Sequence, residues 1–277
     1  VLHDAGLDIR GSDMAESSNT LTLRERGIPI HIGHSADNVT DDISFVIRTA
    51  AVHDDNPEVH EAHRRGIPVF ERTQAWGALM RGYQNALCIS GTHGKTTTTS
   101  MCTHIMMAAE KDPTVMIGGT LPLLKACHRV GKGNTIIMES CEYYNSFLAL
   151  NPTIAVVLNI EADHLDFFKD LEDIKHSFRC FAERVPAETG TVIANYDDAN
   201  TMDALRGIAR KVITFGLNAK ADVYAQNIVH RGSVSEFDIY HRGNYFARVT
   251  LHVQGIHNVR NALAATAAAI VLGVSPN

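Results

Sequence analysis

The sequence predicts an α/β protein of two domains, each built on parallel strands joined by helices, with a small β portion added near the carboxy end. Three observations predict it. Short apolar runs alternate with helical patterns through the first eighty residues, the order that a parallel sheet requires. A second strand, loop and helix begin at "ALCIS" (86–90). After about Asp222 the pattern changes to two-residue alternation, as in "SEFDIYHRGNYFARVTLHV", the period of a half-exposed strand.

The elements follow in order. Strand "LDIRGSD" (7–13) leads to helix "NTLTLRERG" (19–27) and strand "IPIHIG" (28–33). Strand "ISFVIRTA" (43–50) leads to helix "PEVHEAHRRG" (57–66) and strand "IPVF" (67–70). "RGIP" occurs twice, from Arg26 and from Arg65. Each marks a helix-to-strand joint, with Gly27 or Gly66 capping the helix and proline opening the strand. A helix "RTQAWGALMRG" (72–82) closes this part, and the domain boundary is placed near Tyr83, giving domains 1–83 and 84–277. Further apolar runs lie at "NTIIMES" (134–140), "TIAVVLNI" (153–160) and "GTVIANY" (190–196). A hairpin is expected to turn at residues 242–244. The last helix follows "QGIHNVRN"; its run "ALAATAAAIVLGV" (262–274) is too short and alanine-rich to span a bilayer and reads as a buried helix.

Composition excludes several classes. The 277 residues are 45% hydrophobic and 20% charged, with a formal net charge of -6, which fits a globular chain. That balance argues against nucleic acid or an anionic membrane as partner. Five cysteines without a C-x-x-C pair argue against a disulfide framework or structural zinc and favour a reducing cytoplasm. The pairs His31/His34 and His60/His63 have metal-like spacing but no further ligands, and are read as solvated faces.

The chemistry concentrates in "GTHGKTT", residues 91–97. A strand that ends in a glycine-containing loop and opens a helix leaves backbone N–H groups unpaired and converging, which attracts phosphate. Gly91 and Gly94 allow the tight path past Thr92 and His93, Lys95 brings a charge, and Thr96, followed by Thr97, offers a hydroxyl to a magnesium ion. A surface turn with an ordinary lysine is the plain alternative. The common form G-x-x-x-x-G-K-[ST] needs glycine at position 89, where this chain has Ile89.

"GTHGKTT" resembles the shorter phosphate loop of the Mur ligase family, ATP-dependent enzymes that build the peptide of bacterial cell-wall precursors. "MESCEYYNSFLALNPTIAVVLNIEADHLD" (138–166) resembles that family's metal-binding strand end and its Asn-Ile-Glu-x-Asp-His segment, and "GIHNVRNALAA" (255–265) its adenine-binding helix start. "GSDMAES" (11–17) and "RTAAVHDDNPEV" (48–59) resemble the amino-terminal domain of the branch whose substrates are UDP-N-acetylmuramate and L-alanine. The resemblance implies a Rossmann-like domain for the uridine nucleotide, followed by a P-loop-type central ATPase domain. The family's first glycine turn would lie before Val1 and its third domain after Asn277, so the chain is expected to be incomplete and to bind nucleotide without ligating by itself.

The same resemblance implies the site residues. Lys95 contacts the β- and γ-phosphates of ATP, with Gly91, Thr92, His93, Gly94, Thr96 and Thr97 around them. Thr96 and Glu139 hold magnesium, and His164 a second metal, for which manganese is a plausible substitute. "ESCE" departs from the "EADE" of many relatives, which leaves Glu142 without an assigned role. Asn258 and Asn261 share a helix face and carry donors and acceptors matching adenine; plain N-capping by Asn258 is the alternative, and both hold together if Asn261 reads the base. Asp13 and Thr49 belong to the UDP-sugar pocket, with an N-cap or turn role equally open for Asp13. Glu139 and His164 also have bland readings, a solvated strand end and a structural loop histidine. Two rival functions remain: a ligase that joins a preformed tripeptide to the same sugar nucleotide, and a nucleotide-binding module without catalysis.

Overall fold

A computed structural model describes residues 1–49 and 51–276. Ala50, next to Thr49 of the expected UDP-sugar pocket, lies outside the described residues, as does Asn277. The chain forms two compact units, Val1–Trp76 and Gly77–Asn277.

The first unit runs β1 (Gly11–Asp13), α1 (Ser18–Glu25), β2 (Ile30–Ile32), β3 (Val46–Arg48), α2 (Pro57–Arg64) and β4 (Val69–Glu71), then enters α3 (Arg72–Met80). Every expected strand and helix is present, but the strands are three residues long. They form two separate parallel pairs, β1 with β2 and β3 with β4. Each pair begins beside a proline, which has no N–H to give: Gly11 N–H donates to the Pro29 carbonyl at 3.0 Å and Val46 N–H to the Pro68 carbonyl at 2.9 Å.

Local chemistry sets the helix ends. Ser17 and Thr20 form a capping box at α1, and the Asn56 side chain caps α2 ahead of Pro57. Gly27 and Gly66 adopt φ of +81° and +70°. Past them, Ile28 N–H reaches back to the Leu23 carbonyl and Ile67 N–H to the Ala62 carbonyl, the six-to-one closure of a Schellman end.

The second unit is one ten-stranded sheet. Its strands are β5 (Asn85–Ser90), β6 (Thr114–Leu121), β7 (Ala126–Arg129), β8 (Thr135–Glu139), β9 (Ile154–Val157), β10 (Thr191–Asn195), β11 (Lys211–Gly216), β12 (Val223–Arg231), β13 (Val234–His241) and β14 (Asn244–Leu251). The spatial order is β14-β13-β12-β11-β10-β9-β5-β8-β6-β7. The pairs from β12 across to β6 are parallel, whereas β7 at one edge and β13 and β14 at the other are antiparallel. The hairpin at 242–244 is present, with Arg242 and Gly243 at φ of +50° and +80°. It is preceded by a second hairpin between β12 and β13, which the sequence reading did not separate.

The helices are α4 (Lys95–Ala108), α5 (Leu171–Glu183), α6 (Ala199–Ala204) and α7 (Ile256–Val271). Leu87, Ile89, Ile137 and Val156 share one core cluster with Cys102 and Met106 of α4 and Val259 and Leu263 of α7. Their strand neighbours Ala86, Cys88, Ile136 and Ala155 point to the other face and are equally buried. Helices therefore cover both faces, as a parallel sheet demands. The alanine-rich run is the buried face of α7, which packs closely on α4. β5 lies in mid-sheet, so its carboxy end opens between the ends of β8 and β9.

Candidate active site

The loop leaving β5 is held in an extended, glycine-dependent path. Gly91 and Gly94 have φ of +143° and +87°, a region that L side chains avoid. Space forbids a side chain as well: a Cβ on Gly91 would stand 2.8 Å from Leu158 Cβ, and one on Gly94 would stand 2.6 Å from Asn261 Oδ1. Gly94 is the N-cap of α4 and offers no side-chain acceptor, and the first bond back is from Thr98 N–H to the Gly94 carbonyl at 2.9 Å. The N–H groups of residues 94–97 are thus left pointing out of the helix end, where partial positive charge gathers.

A neighbouring segment fixes the loop. Thr92 N–H donates to the Asn159 carbonyl at 3.1 Å, and His93 N–H to Asn159 Oδ1 at 2.8 Å. Asn159 Nδ2 returns a bond to the His93 carbonyl at 2.9 Å, and Glu161 N–H donates to Thr92 Oγ1 at 2.9 Å. Asn195 Nδ2 supports Leu158 from behind through its carbonyl, and the Asp198 carboxylate accepts from Ile160 N–H. Within the Asn-Ile-Glu-x-Asp-His segment the sequence assigns a role to the histidine alone. The loop-clamping role of Asn159 was missed, because the bond partners lie sixty-six residues apart.

Beyond the loop, the structure brings Lys95, Thr96, Glu139 and Glu142 together. Thr96 Oγ1 donates to Glu139 Oε1 at 2.9 Å, and Glu139 Oε2 accepts from Gly118 N–H at 2.7 Å. Gly118, also missed, lets β6 approach: a Cβ there would stand 2.7 Å from Glu139 Oε1. Lys95 Nζ donates to the Gly91 carbonyl at 2.6 Å and the Thr92 carbonyl at 3.2 Å, and meets both Glu142 oxygens at 3.0 and 3.1 Å. Glu142, left without a role by its sequence context, is buried against the loop's cation.

Thr96 and Glu139 fit a magnesium ion, since both present hard oxygens at one point and magnesium takes few protein ligands beside phosphate and water. Among the described residues, no group of three or more His, Cys, Asp and Glu side chains could hold a metal. His164 does not join the pair: its ring stacks on Tyr143 with centroids 4.3 Å apart, and its Nε2 lies 3.9 Å from Asp163 Oδ2. The Tyr143 hydroxyl donates to the Asp166 carboxylate, and chiefly that bond pushes the Tyr143 pKa up. His164, Tyr144 and Asn145 all adopt left-handed φ, between +52° and +55°, a conformation costly for non-glycine residues and concentrated at functional sites.

At the start of α7, Asn261 Nδ2 donates to Asn258 Oδ1 at 3.2 Å, and Asn258 Nδ2 to the Gln254 carbonyl at 2.6 Å. Asn258 is not the N-cap: that position is Gly255, without a side-chain cap, and Asn258 lies three residues into the helix. Asn261 is buried against Gly94, so Asn258 is the more accessible amide.

The first unit holds a cavity of about 490 Å³ lined by residues that include Arg10, Ser12, His34, Arg48, Thr49 and Glu58. Asp13 is exposed at the end of β1, outside that lining, and its carboxylate accepts from Ala15 N–H as a turn residue does. His34 is not on a solvated face: Nδ1 lies 3.1 Å from Glu58 Oε2 and 3.2 Å from Ser12 Oγ. His31, His60 and His63 are exposed as expected. Burial raises the Glu58 pKa, but hydrogen bonds from Ser12, Asn38 and His34 outweigh it, leaving the carboxyl below its ordinary value. Asp42, on the same wall, is held at about 2 by its bond from Arg10 and then Thr40.

Comparison with known proteins gives consistent matches. The family model "Mur ligase middle domain" covers residues 89–269, and "Mur ligase family, catalytic domain" covers residues 1–84. The chain is 43% identical to a UDP-N-acetylmuramate–L-alanine ligase of Caldicellulosiruptor saccharolyticus, over 100% of this chain and 61% of that one. It is 44% identical to the Agathobacter rectalis enzyme of the same name, over 99% and 60%. Among solved structures, the UDP-N-acetylmuramate-alanine ligase of Thermotoga maritima matches with a TM-score of 0.81 at 30% identity, covering 98% of this chain and 61% of that one. The UDP-N-acetylmuramate:L-alanyl-gamma-D-glutamyl-meso-diaminopimelate ligase of Neisseria meningitides matches at 0.86 and 25% identity, covering 100% and 90%. The chain therefore spans about three fifths of the length of the curated relatives it matches.

Proposed function

Because the chain belongs to the Mur ligase family, matched over residues 89–269 and 1–84, we propose that it carries the nucleotide sites of an ATP-dependent ligase joining L-alanine to UDP-N-acetylmuramate. The observation that carries this reading is the uncapped α4 terminus behind Gly94, with Lys95 inside the loop and the Thr96–Glu139 pair beside it. Identity of 42–44% to enzymes named for that reaction supports the substrate assignment.

Forming an amide from a carboxylate and an amine is uphill in water, so the carboxylate first takes the γ-phosphoryl group and the amine then displaces phosphate. Positioning and charge neutralisation supply most of the rate. The N–H groups of residues 94–97 and the Lys95 ammonium bind the phosphates. Thr96 and Glu139 would hold magnesium, which when bound neutralises the phosphate oxygens. His164, stacked on Tyr143, would contribute one imidazole ligand to a second metal, for which manganese can substitute. Asn258 offers its amide to the adenine edge, with Asn261 behind it. The cavity of the first unit, with Thr49 on its wall and Asp13 near its strand end, receives the UDP-sugar. Among the described residues no helix is long and apolar enough to cross a membrane. Work in the cytoplasm, without nucleic acid as partner, is part of the same reading and rests on the cysteine-poor, acidic composition.

The Neisseria ligase, with the higher TM-score, favours a second reading, in which the amine is a preformed peptide. Phosphate release by the full-length protein with UDP-N-acetylmuramate decides between them. L-Alanine is expected to stimulate release and the tripeptide is not; the reverse outcome would assign the tripeptide-joining reaction, and stimulation by neither would remove both.

A further inference from the structure

A lysine ammonium has three protons, and those of Lys95 are committed to the Gly91 and Thr92 carbonyls and to the Glu142 carboxylate. Glu142 is 2% exposed. Among the described residues, Lys95 is the only hydrogen-bond donor to that carboxylate. The contact is therefore an ion pair closed on itself inside the phosphate loop, not a solvated surface bridge.

A phosphate seated on the N–H groups of residues 94–97 competes with Glu142 for this ammonium. Taking Lys95 away strands a buried carboxylate, which is strongly unfavourable. Sharing Lys95 brings the phosphate's negative charge against Glu142, with Glu139 also close by through Thr96. In both cases the loop lacks one positive charge. A divalent cation carried in by the nucleotide, on the Thr96 and Glu139 oxygens, supplies it.

We propose that Glu142 makes this loop selective for the metal-complexed nucleotide: its carboxylate retains Lys95 against free ATP and yields it to a phosphate that brings its own cation. This rests on the reading of the loop as an ATP site. Glu142 touches Lys95 rather than the reacting atoms, so its effect belongs to binding and is read there.

The test is calorimetric titration of the full-length protein with ATP, in excess magnesium and in chelator, for the native sequence and for Glu142→Gln. Glutamine keeps the size and one acceptor for Lys95 while removing the charge. Affinity for metal-free ATP is expected to rise about tenfold or more in the variant, with affinity for magnesium-ATP changing about threefold or less. An unchanged ratio between the two affinities overturns the proposal, as does equal loss of both. Should the glutamine variant fail to fold, Glu142→Asp carries the test: its carboxylate is drawn back by one methylene, and metal-free affinity must rise about threefold. If the native protein binds ATP in neither condition, the ATP-site reading itself fails. If it binds but the ratio does not move, only the role of Glu142 fails.

Discussion

Asn261 occupies the space in which Gly94 would carry a side chain, with Oδ1 2.6 Å from the position of a Cβ. The helix assigned to adenine and the loop assigned to phosphate are thus in direct contact, and the glycine is required twice, by its φ of +87° and by that contact. Gly94→Ala is expected to destabilise the fold by about 1–3 kcal/mol and to weaken ATP binding. In an Asn261→Ala background the stability cost should shrink, because only the backbone strain remains. Urea unfolding of the four proteins checks this; full additivity would mean that the two residues do not interact.

Lys95→Ala removes the loop's cation and should abolish ATP binding. A sequence view of the loop suggests that the fold would be untouched, but the buried Glu142 alters that expectation. Left unpaired, it should cost on the order of 3 kcal/mol. The double variant Lys95→Ala/Glu142→Gln should recover most of that stability while still failing to bind ATP, which thermal melts and calorimetry would separate.

Glu139 and His164 lie in different surroundings, one against Thr96 and Gly118, the other stacked on Tyr143. Glu139→Ala is expected to weaken magnesium-ATP binding about tenfold or more. His164→Ala should leave that affinity near normal and slow acyl-phosphate formation by the full-length enzyme. Equal losses of nucleotide affinity would point to a single shared metal.

Glu58 gives the first unit an acid sensitivity. Its folded pKa lies below the ordinary value, so its stabilising contribution is complete above the unfolded value of about 4.3 and is lost as pH falls through the lower, folded one. Melting temperature measured from pH 6 down to pH 3 should therefore fall more steeply in the native chain than in Glu58→Gln. Parallel curves would show that Glu58 makes no such contribution.

The thiols divide by burial. Cys88 and Cys102 are pushed up to about 12 by burial, and the nucleophile is the thiolate. Alkylation at neutral pH should label the exposed Cys127 first, then the exposed Cys141, whose thiol burial pushes up, and reach Cys88 and Cys102 only after denaturation. Mass spectrometry of the labelled peptides checks it; early labelling of Cys102 would mean that α4 opens locally.

The sequence by itself determined the α/β class, the position of the phosphate loop, the two capped "RGIP" joints and the hairpin at 242–244. These depend on local chemistry: two-residue or helical periodicity, glycine at positive φ, and proline's missing N–H. β6, β7 and β11 were not legible. β6 carries Gly118 and Gly119 where a strand pattern would show side chains, and β7 is a short edge strand. Tertiary structure alone decided that Glu142 pairs with Lys95 across forty-seven residues, that Asn159 clamps the loop across sixty-six, that Asn261 rather than solvent faces Gly94, and that His34 turns inward to Glu58. The reason is physical: a buried polar side chain must find a partner, but which one it finds depends on which strand ends the sheet order places side by side.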